Sequence, residues 1–217
     1  MLKYLLVVLI SVTFGNAFAT AKEKMSKLET ATFAAGCFWG TEEFFRKIPG
    51  VVESRVGFTG GTTLKPKYDD IHDGHTGHAE SVEVKYDPSK VSYEHLLDQF
   101  FKMHDPTTKD RQGNDTGNQY RSAIFYHCEK QKKEAFNFKK KVEKSGAWKS
   151  EITTEISEAK TFWPGEEYHQ KYLVKPNYFK KPGEQLNVRF MSIKTTVARA
   201  GGISTPLCSV TSTPRPT

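Results

Sequence analysis

The stretch Ala31-Thr32-Phe33-Ala34-Ala35-Gly36-Cys37-Phe38-Trp39-Gly40-Thr41-Glu42-Glu43-Phe44-Phe45 changes character halfway. Thr32 to Ala35 is an apolar run of strand type; from Thr41 to about Lys47 the pattern is helical, and Pro49-Gly50 stops it. The chain thus passes from strand to helix through Gly36-Cys37-Phe38-Trp39-Gly40. A thiol at that junction lies near a helix's first turn, where unpaired N–H groups and the positive dipole end favour a thiolate. Gly36 and Gly40 allow a sharp turn and leave room beside the sulfur. Phe38 and Trp39 supply apolar walls suited to a methyl or thioether group. A buried structural cysteine among aromatics fits the same five residues, so the pentapeptide leaves both readings open.

Outward from this junction, Val51 to Phe58 is β-branched and alternating, a second strand closed by Gly60-Gly61. The loop from Thr62 to Gly77 carries Tyr68 and His72, His75, without periodicity. Ala79 to Tyr86 is the clearest strand: Val82, Val84 and Tyr86 point one way, Ser81, Glu83 and Lys85 the other. Glu80 falls on the apolar side. A carboxylate at the mouth of a buried face has its ionised form disfavoured and can serve as an acid near neutral pH. A carboxylate fraying into solvent at a strand end fits equally well.

Asp87-Pro88 turns the chain, and Ser92 is placed to cap a helix from Tyr93 to Met103 with Leu96, Leu97, Phe100 and Phe101 on its apolar face. His104 to Asn118 is polar and Gly-rich, holds Asp105 and Asp115, and is too long for a simple connector; long loops of this kind often carry function. Ala123 to Tyr126 reads as a strand, Glu129 to Lys144 as a helix with Ala135, Phe138 and Val142 inward, stopped near Gly146. Glu151 to Ile156 reads as a further strand. Trp163-Pro164-Gly165 opens an expected short helix from Glu166 to Leu173. Strands interleaved with helices, without a repeated crossover pattern, indicate one α+β domain.

The 217 residues suit a single domain with tails, and 37% hydrophobic content suffices for a core. In residues 1–19 the only charge is Lys3, Tyr4 to Phe14 is nearly all apolar, and Ala17-Phe18-Ala19 has the small-x-small pattern of a cleavage site. This is the pattern of a secretory signal peptide; a retained signal anchor is the alternative. Charged residues between Lys22 and Glu29 separate that segment from Ala34-Ala35-Gly36-Cys37, which argues against lipidation of Cys37. Loss of Lys3 takes the formal charge from +7 to +6. The basic residues are dispersed, and Lys139-Lys140-Lys141 suits a solvated helix face better than a nucleic-acid surface. Cys37, Cys128 and Cys208 stand far apart, with neither a CxxC nor a zinc spacing, which for an exported chain suggests a reactive thiol with an exchangeable partner rather than a disulfide scaffold. His72, His75 and His78 invite a metal reading, but their loop offers no evident supporting shell.

Four stretches together resemble the A-type peptide methionine sulfoxide reductases: Gly36-Cys37-Phe38-Trp39-Gly40, Gly77-His78-Ala79-Glu80, the segment Gln112 to Ser122, and Phe162-Trp163-Pro164-Gly165-Glu166-Glu167-Tyr168-His169-Gln170. The resemblance runs from about Ala31 to Tyr178. It implies reduction of methionine S-sulfoxide, free or in proteins, the epimer being the one assigned to this class of reductase. It implies that Cys37 is the nucleophile, Glu80 the proton donor, Tyr68 and Tyr120 the hydrogen-bond donors to the sulfoxide oxygen, Phe38 and Trp39 the methyl pocket, and Asp115 an acidic substrate-site residue. It further implies that Cys208, beyond Gly201-Gly202, resolves a Cys37 sulfenic acid, with a thioredoxin-type protein as reductant; Cys128 is expected to be structural.

The organisation expected is a signal peptide over 1–19, a leader over 20–30, a catalytic domain over 31–196 and a flexible tail over 197–217. The fold expected is α+β, a mixed or antiparallel sheet with packed helices around a ferredoxin-like core. No cofactor, nucleic acid or stable membrane anchor is expected, and the chain should be an exported monomer. A secreted thiol peroxidase and a polyanion-binding module are the competing readings; consumption of peroxide without reduction of methionine sulfoxide would favour the first, indifference to loss of Cys37 the second.

Overall fold

In a computed structural model the described residues are 27–175. The stretches 1–19 and 197–217, with Cys208, lie outside them. Strand β1 (Glu29–Ala35) starts inside the segment read as a leader, because Glu29 and Thr30 already pair with Tyr86 and Lys85. Helix α1 (Phe38–Phe45) begins three residues earlier than the sequence pattern implied. Gly36, at φ +88°, alone makes the reversal, and Gly40 is an ordinary helical residue.

There follow β2 (Val51–Thr59), a one-turn helix α2 (Tyr68–His72), β3 (Ala79–Tyr86), α3 (Tyr93–Met103), and the short hairpin β4 (Arg111–Gln112) and β5 (Asp115–Thr116). A 3-10 turn (Asn118–Tyr120) leads into β6 (Ser122–Tyr126), α4 (Glu129–Lys144), β7 (Glu155–Glu158) and β8 (Trp163–Pro164), with 3-10 turns at Glu167–His169 and Tyr172–Val174. The six-stranded sheet has the order β7-β6-β1-β3-β2-β8, and only the β6–β7 pair is parallel. Its centre, β6-β1-β3-β2 with α1 and α3 as the connecting helices, is the βαββαβ arrangement of ferredoxin-like domains. The sheet is therefore mixed and the fold α+β, as the sequence indicated.

Phe33 on β1 is the hub of the core. Its ring stacks on Phe45 of α1 at 4.8 Å and on Phe100 of α3 at 5.3 Å, and all three are fully buried. Ser92 caps α3 by accepting the His95 N–H at 3.1 Å. The alternation in β3 is not one of a wet and a dry face. As a central strand between β1 and β2 it is covered on both sides, with Ser81 and Glu83 buried too.

Four segments depart from the sequence reading, each because tertiary packing or hydrogen bonds to remote partners override the local pattern. The loop from Thr62 to Gly77 contains α2, anchored by fully buried Ile71. His104, read as part of a loop without core residues, is buried and bonds Ser122 Oγ at 2.7 Å. The strand expected at Glu151 to Ile156 begins at Glu155, because the Thr153 N–H and hydroxyl both donate to the Pro106 carbonyl. The helix expected from Glu166 to Leu173 does not form. Lys171 takes a left-handed conformation, and Gln170 turns its amide onto β2, accepting from Val56 N–H and donating to the Val56 and Gly165 carbonyls.

Candidate active site

Cys37 is the N-cap of α1, half-buried, where α1 directs its free N–H groups. The first of these, Phe38 N–H, donates to Glu80 Oε2 at 3.0 Å. Glu80 is only 1% exposed, which dismisses a carboxylate fraying into solvent. It occupies this place because β3 pairs Glu80 with Phe58 of β2 at the sheet end nearest the start of α1. Gly36 is needed for a second reason besides its φ: a Cβ there would lie 2.6 Å from Gln112 Cγ. Gln112 in turn exchanges hydrogen bonds with the Asp105 backbone, fixing the β4–β5 hairpin beside the cysteine loop.

Tyr68, at the start of α2, and Tyr120, at the end of the 3-10 turn, converge on the same place. Each phenol is raised above its ordinary range, first by burial and then by the negative charges of Glu80, Asp115 and Cys37. Both remain protonated O–H donors through neutral pH. Asp115, on β5, is half-buried, and burial pushes its carboxyl up. The rings of Phe38 and Trp39 lie 6.4 Å apart, and Tyr68 stacks on Phe38 at 6.2 Å. The structure thus brings together Cys37, Phe38, Trp39, Tyr68, Glu80, Asp115 and Tyr120, contributed by five separate segments.

Residues without a sequence-assigned role also line the recess. His169 is buried against Phe38, Trp39 and Tyr68, and Tyr172 stacks on Trp39 at 3.8 Å. His72 meets the Tyr68 ring edge-on at 4.3 Å. The density of rings and titratable groups in Phe162 to Tyr172 was the available signal; a helical reading of that segment hid which of them face inward. Among the described residues there is no group of three or more His, Cys, Asp or Glu arranged to hold a metal ion. His78 spends its ring nitrogens on Gly61 N–H and the Thr63 carbonyl. No helix among the described residues is long and apolar enough to cross a membrane.

A thiol at the positive end of a helix, with an acid and two phenols in an apolar recess, suits nucleophilic attack by sulfur with protonation of a departing atom. On this ferredoxin-like frame it defines the class as a thiol-dependent oxidoreductase.

Comparison with known proteins narrows the class. Residues 29–198 match the family model described as peptide methionine sulfoxide reductase. The chain is 56% identical over 148 residues to peptide methionine sulfoxide reductase MsrA of Methanoculleus marisnigri, covering 68% of this chain and 90% of that one. It is 53% identical over 151 residues to the MsrA of Methanothermobacter thermautotrophicus, covering 70% and 89%. Among solved structures, reduced Mxr1 of Saccharomyces cerevisiae superposes with a TM-score of 0.66 at 37% identity, covering 73% of this chain and 91% of that one. Methionine sulfoxide reductase A of Corynebacterium diphtheriae gives 0.63 at 37% identity, covering 76% and 82%. The chain belongs to the peptide methionine sulfoxide reductase family and is an oxidoreductase that reduces methionine sulfoxide.

Proposed function

We propose that this chain reduces the S epimer of methionine sulfoxide, in proteins, peptides or free, through Cys37, and so repairs proteins after oxidative damage. The observation that carries the residue assignment is the Phe38 N–H bond to buried Glu80 beside the cysteine it follows. The methyl group sits between Phe38 and Trp39, and Tyr68 and Tyr120 donate to the sulfoxide oxygen. The Cys37 thiolate attacks the sulfoxide sulfur while Glu80 gives its proton to that oxygen. The S–O bond then breaks as oxygen passes to Cys37: methionine leaves, two electrons richer, and Cys37 is left as a sulfenic acid. Asp115, at the rim, contacts the polar part of the substrate.

A second thiol, Cys208, condenses with the sulfenic acid, expelling water and forming a disulfide. A thioredoxin-type dithiol reduces that disulfide by exchange, supplying the two electrons the reaction consumes. Residues 1–19 direct export to a periplasmic, extracellular or secretory compartment and leave a monomer without a membrane anchor. N-terminal sequencing of the exported protein, finding Thr20 first, checks this part.

The deciding experiment follows methionine formation from peptides carrying the S or the R sulfoxide, with dithiothreitol as reductant. Only the S epimer should turn over, and Cys37→Ser should abolish it. Glu80→Gln should lower kcat by about 10²- to 10⁴-fold, as loss of a general acid does. Turnover of the R epimer, or a Glu80→Gln enzyme with undiminished kcat, overturns the assignment.

A further inference from the structure

His169 takes no part in the proposed chemistry, yet it is 1% exposed and touches three of its rings. Its Nδ1 lies 3.0 Å from Trp39 Nε1. An indole N–H can only donate, so Nδ1 must offer a lone pair. Burial holds this imidazole down at about 4, against the pull of Glu166, so it is neutral and its single proton sits on Nε2. That Nε2 faces Glu166 Oε2 at 4.0 Å. Both atoms are buried, and neither has a hydrogen-bond partner among the described residues. At that distance Glu166 acts on the imidazole through its charge and not through a hydrogen bond. The other Glu166 oxygen accepts the Tyr68 N–H at 3.1 Å, so one carboxylate addresses both Tyr68 and His169.

The face of the indole is held as well. Tyr172 stacks on it with an interplanar angle of 6°. The residue before, Lys171, is pinned through its N–H to Glu42 Oε2 at 2.7 Å, and Glu42 is itself a buried residue of α1 that also accepts from Ser54. Trp39 is therefore clamped at its nitrogen by His169 and over its ring by Tyr172, from a segment more than 120 residues along the chain.

We propose that His169, steered by Glu166, is a positioning residue that fixes the indole plane of Trp39 and so sets the width of the pocket receiving the substrate methyl group. This rests on the reading of Trp39 as a wall of that pocket. His169 acts through Trp39 and touches none of the reacting atoms. Its loss therefore weakens binding of substrate and transition state alike, which raises KM and spares kcat.

The test measures kcat and KM for a peptide S-sulfoxide with dithiothreitol, in wild-type and Trp39→Phe backgrounds. His169→Phe fills the space with a ring but removes the acceptor; His169→Asn restores an acceptor at the branch position of Nδ1. The expected result is a KM about tenfold higher for His169→Phe with kcat within about threefold, and recovery to within about threefold for His169→Asn. In the Trp39→Phe background His169→Phe should add nothing, since the group it acts through is already altered. If His169→Phe does not fold by thermal melting, Glu166→Gln carries the test, since it keeps an acceptor for Tyr68 N–H while removing the charge that faces His169, with a raised KM that vanishes in the Trp39→Phe background. Equal effects in both backgrounds, a fall in kcat at constant KM, or a folded His169→Asn enzyme without recovery overturns the proposal. Trp39→Phe with an unchanged KM overturns instead the pocket reading on which it rests.

Discussion

His104 shows how one side chain couples the site's surroundings to pH. Its Nδ1 donates to the Phe100 carbonyl at 2.7 Å, and its Nε2 accepts from Ser122, whose oxygen meets the Thr154 hydroxyl at 2.8 Å. Burial holds the imidazole down at about 4, against the opposing effects of the Phe100 carbonyl and Asp105. In the unfolded chain it titrates at about 6.5. The unfolded state thus binds a proton that the folded state refuses, so stability falls as pH drops below about 6.5 and levels off below about 4. Each unit is about 1.4 kcal/mol, so the loss over that window is a few kcal/mol at most. Urea midpoints at pH 7 and pH 4.5 should show the fall, and His104→Gln should flatten that part of it.

Arg121 acts on the same scale. Its guanidinium donates to the carbonyls of Asn118 and Gly77 and to Glu155, tying the turn before β3 to the turn carrying Tyr120. Lysine keeps the charge but not the fork. Arg121→Lys should therefore lower kcat by about ten- to a hundredfold, the scale of a misplaced catalytic group, while far-UV circular dichroism stays native.

Among the elements, β8 is the one the site depends on and the one the sequence hid. Pro164 pairs with Gly57, and a Cβ on Gly57 would lie 2.3 Å from the Trp163 carbonyl. Gly57→Ala should push β8 from the sheet and with it the segment holding His169 and Tyr172. The expected outcome is faster proteolytic cleavage between residues 160 and 175, with a parallel loss of turnover. The elements set by local pattern were legible: α3 and α4 begin and end where their caps and apolar spacing placed them, and β2 was within one residue. At Cys37 and Glu80 local pattern left two readings each, and only the resemblance of four stretches taken together assigned their roles; what the structure adds is that Glu80 is buried and bonded to Phe38 N–H. Segments governed by distant partners were not legible. Nothing near Gln170 announces that its amide will serve β2, and nothing near His104 announces Ser122. The same holds for the Trp39–His169 pair, joined across the chain by tertiary packing alone.

For the whole molecule, the proposed cycle divides the chain into a part that makes methionine and a part that recovers the thiol. Cys208→Ser should leave the first turnover intact: one methionine per enzyme with no added reductant. The Cys37 sulfenic acid should then persist, detectable by dimedone labelling and mass spectrometry, whereas the parent protein forms a disulfide. Burst-free kinetics or an unlabelled variant would refute that division of labour.

The amide of Gln170 has a wider meaning. β2 runs along one side of the sheet, and β8 pairs with Gly57 and Phe58; at Val56 the N–H donates to the Gln170 side chain, and the carbonyl accepts from that side chain and from Gly165 N–H. Next to it, Arg55 and Glu53 carry charges paired across to β3. An open strand margin recruits other extended chains, and charges or capping groups prevent it. If the proposed repair of oxidised proteins holds, its substrates bring such extended chains to the molecule. With Gln170 and Gly165 on the Val56 backbone, this part of β2 offers no free ladder on which an extended peptide could add as a further strand.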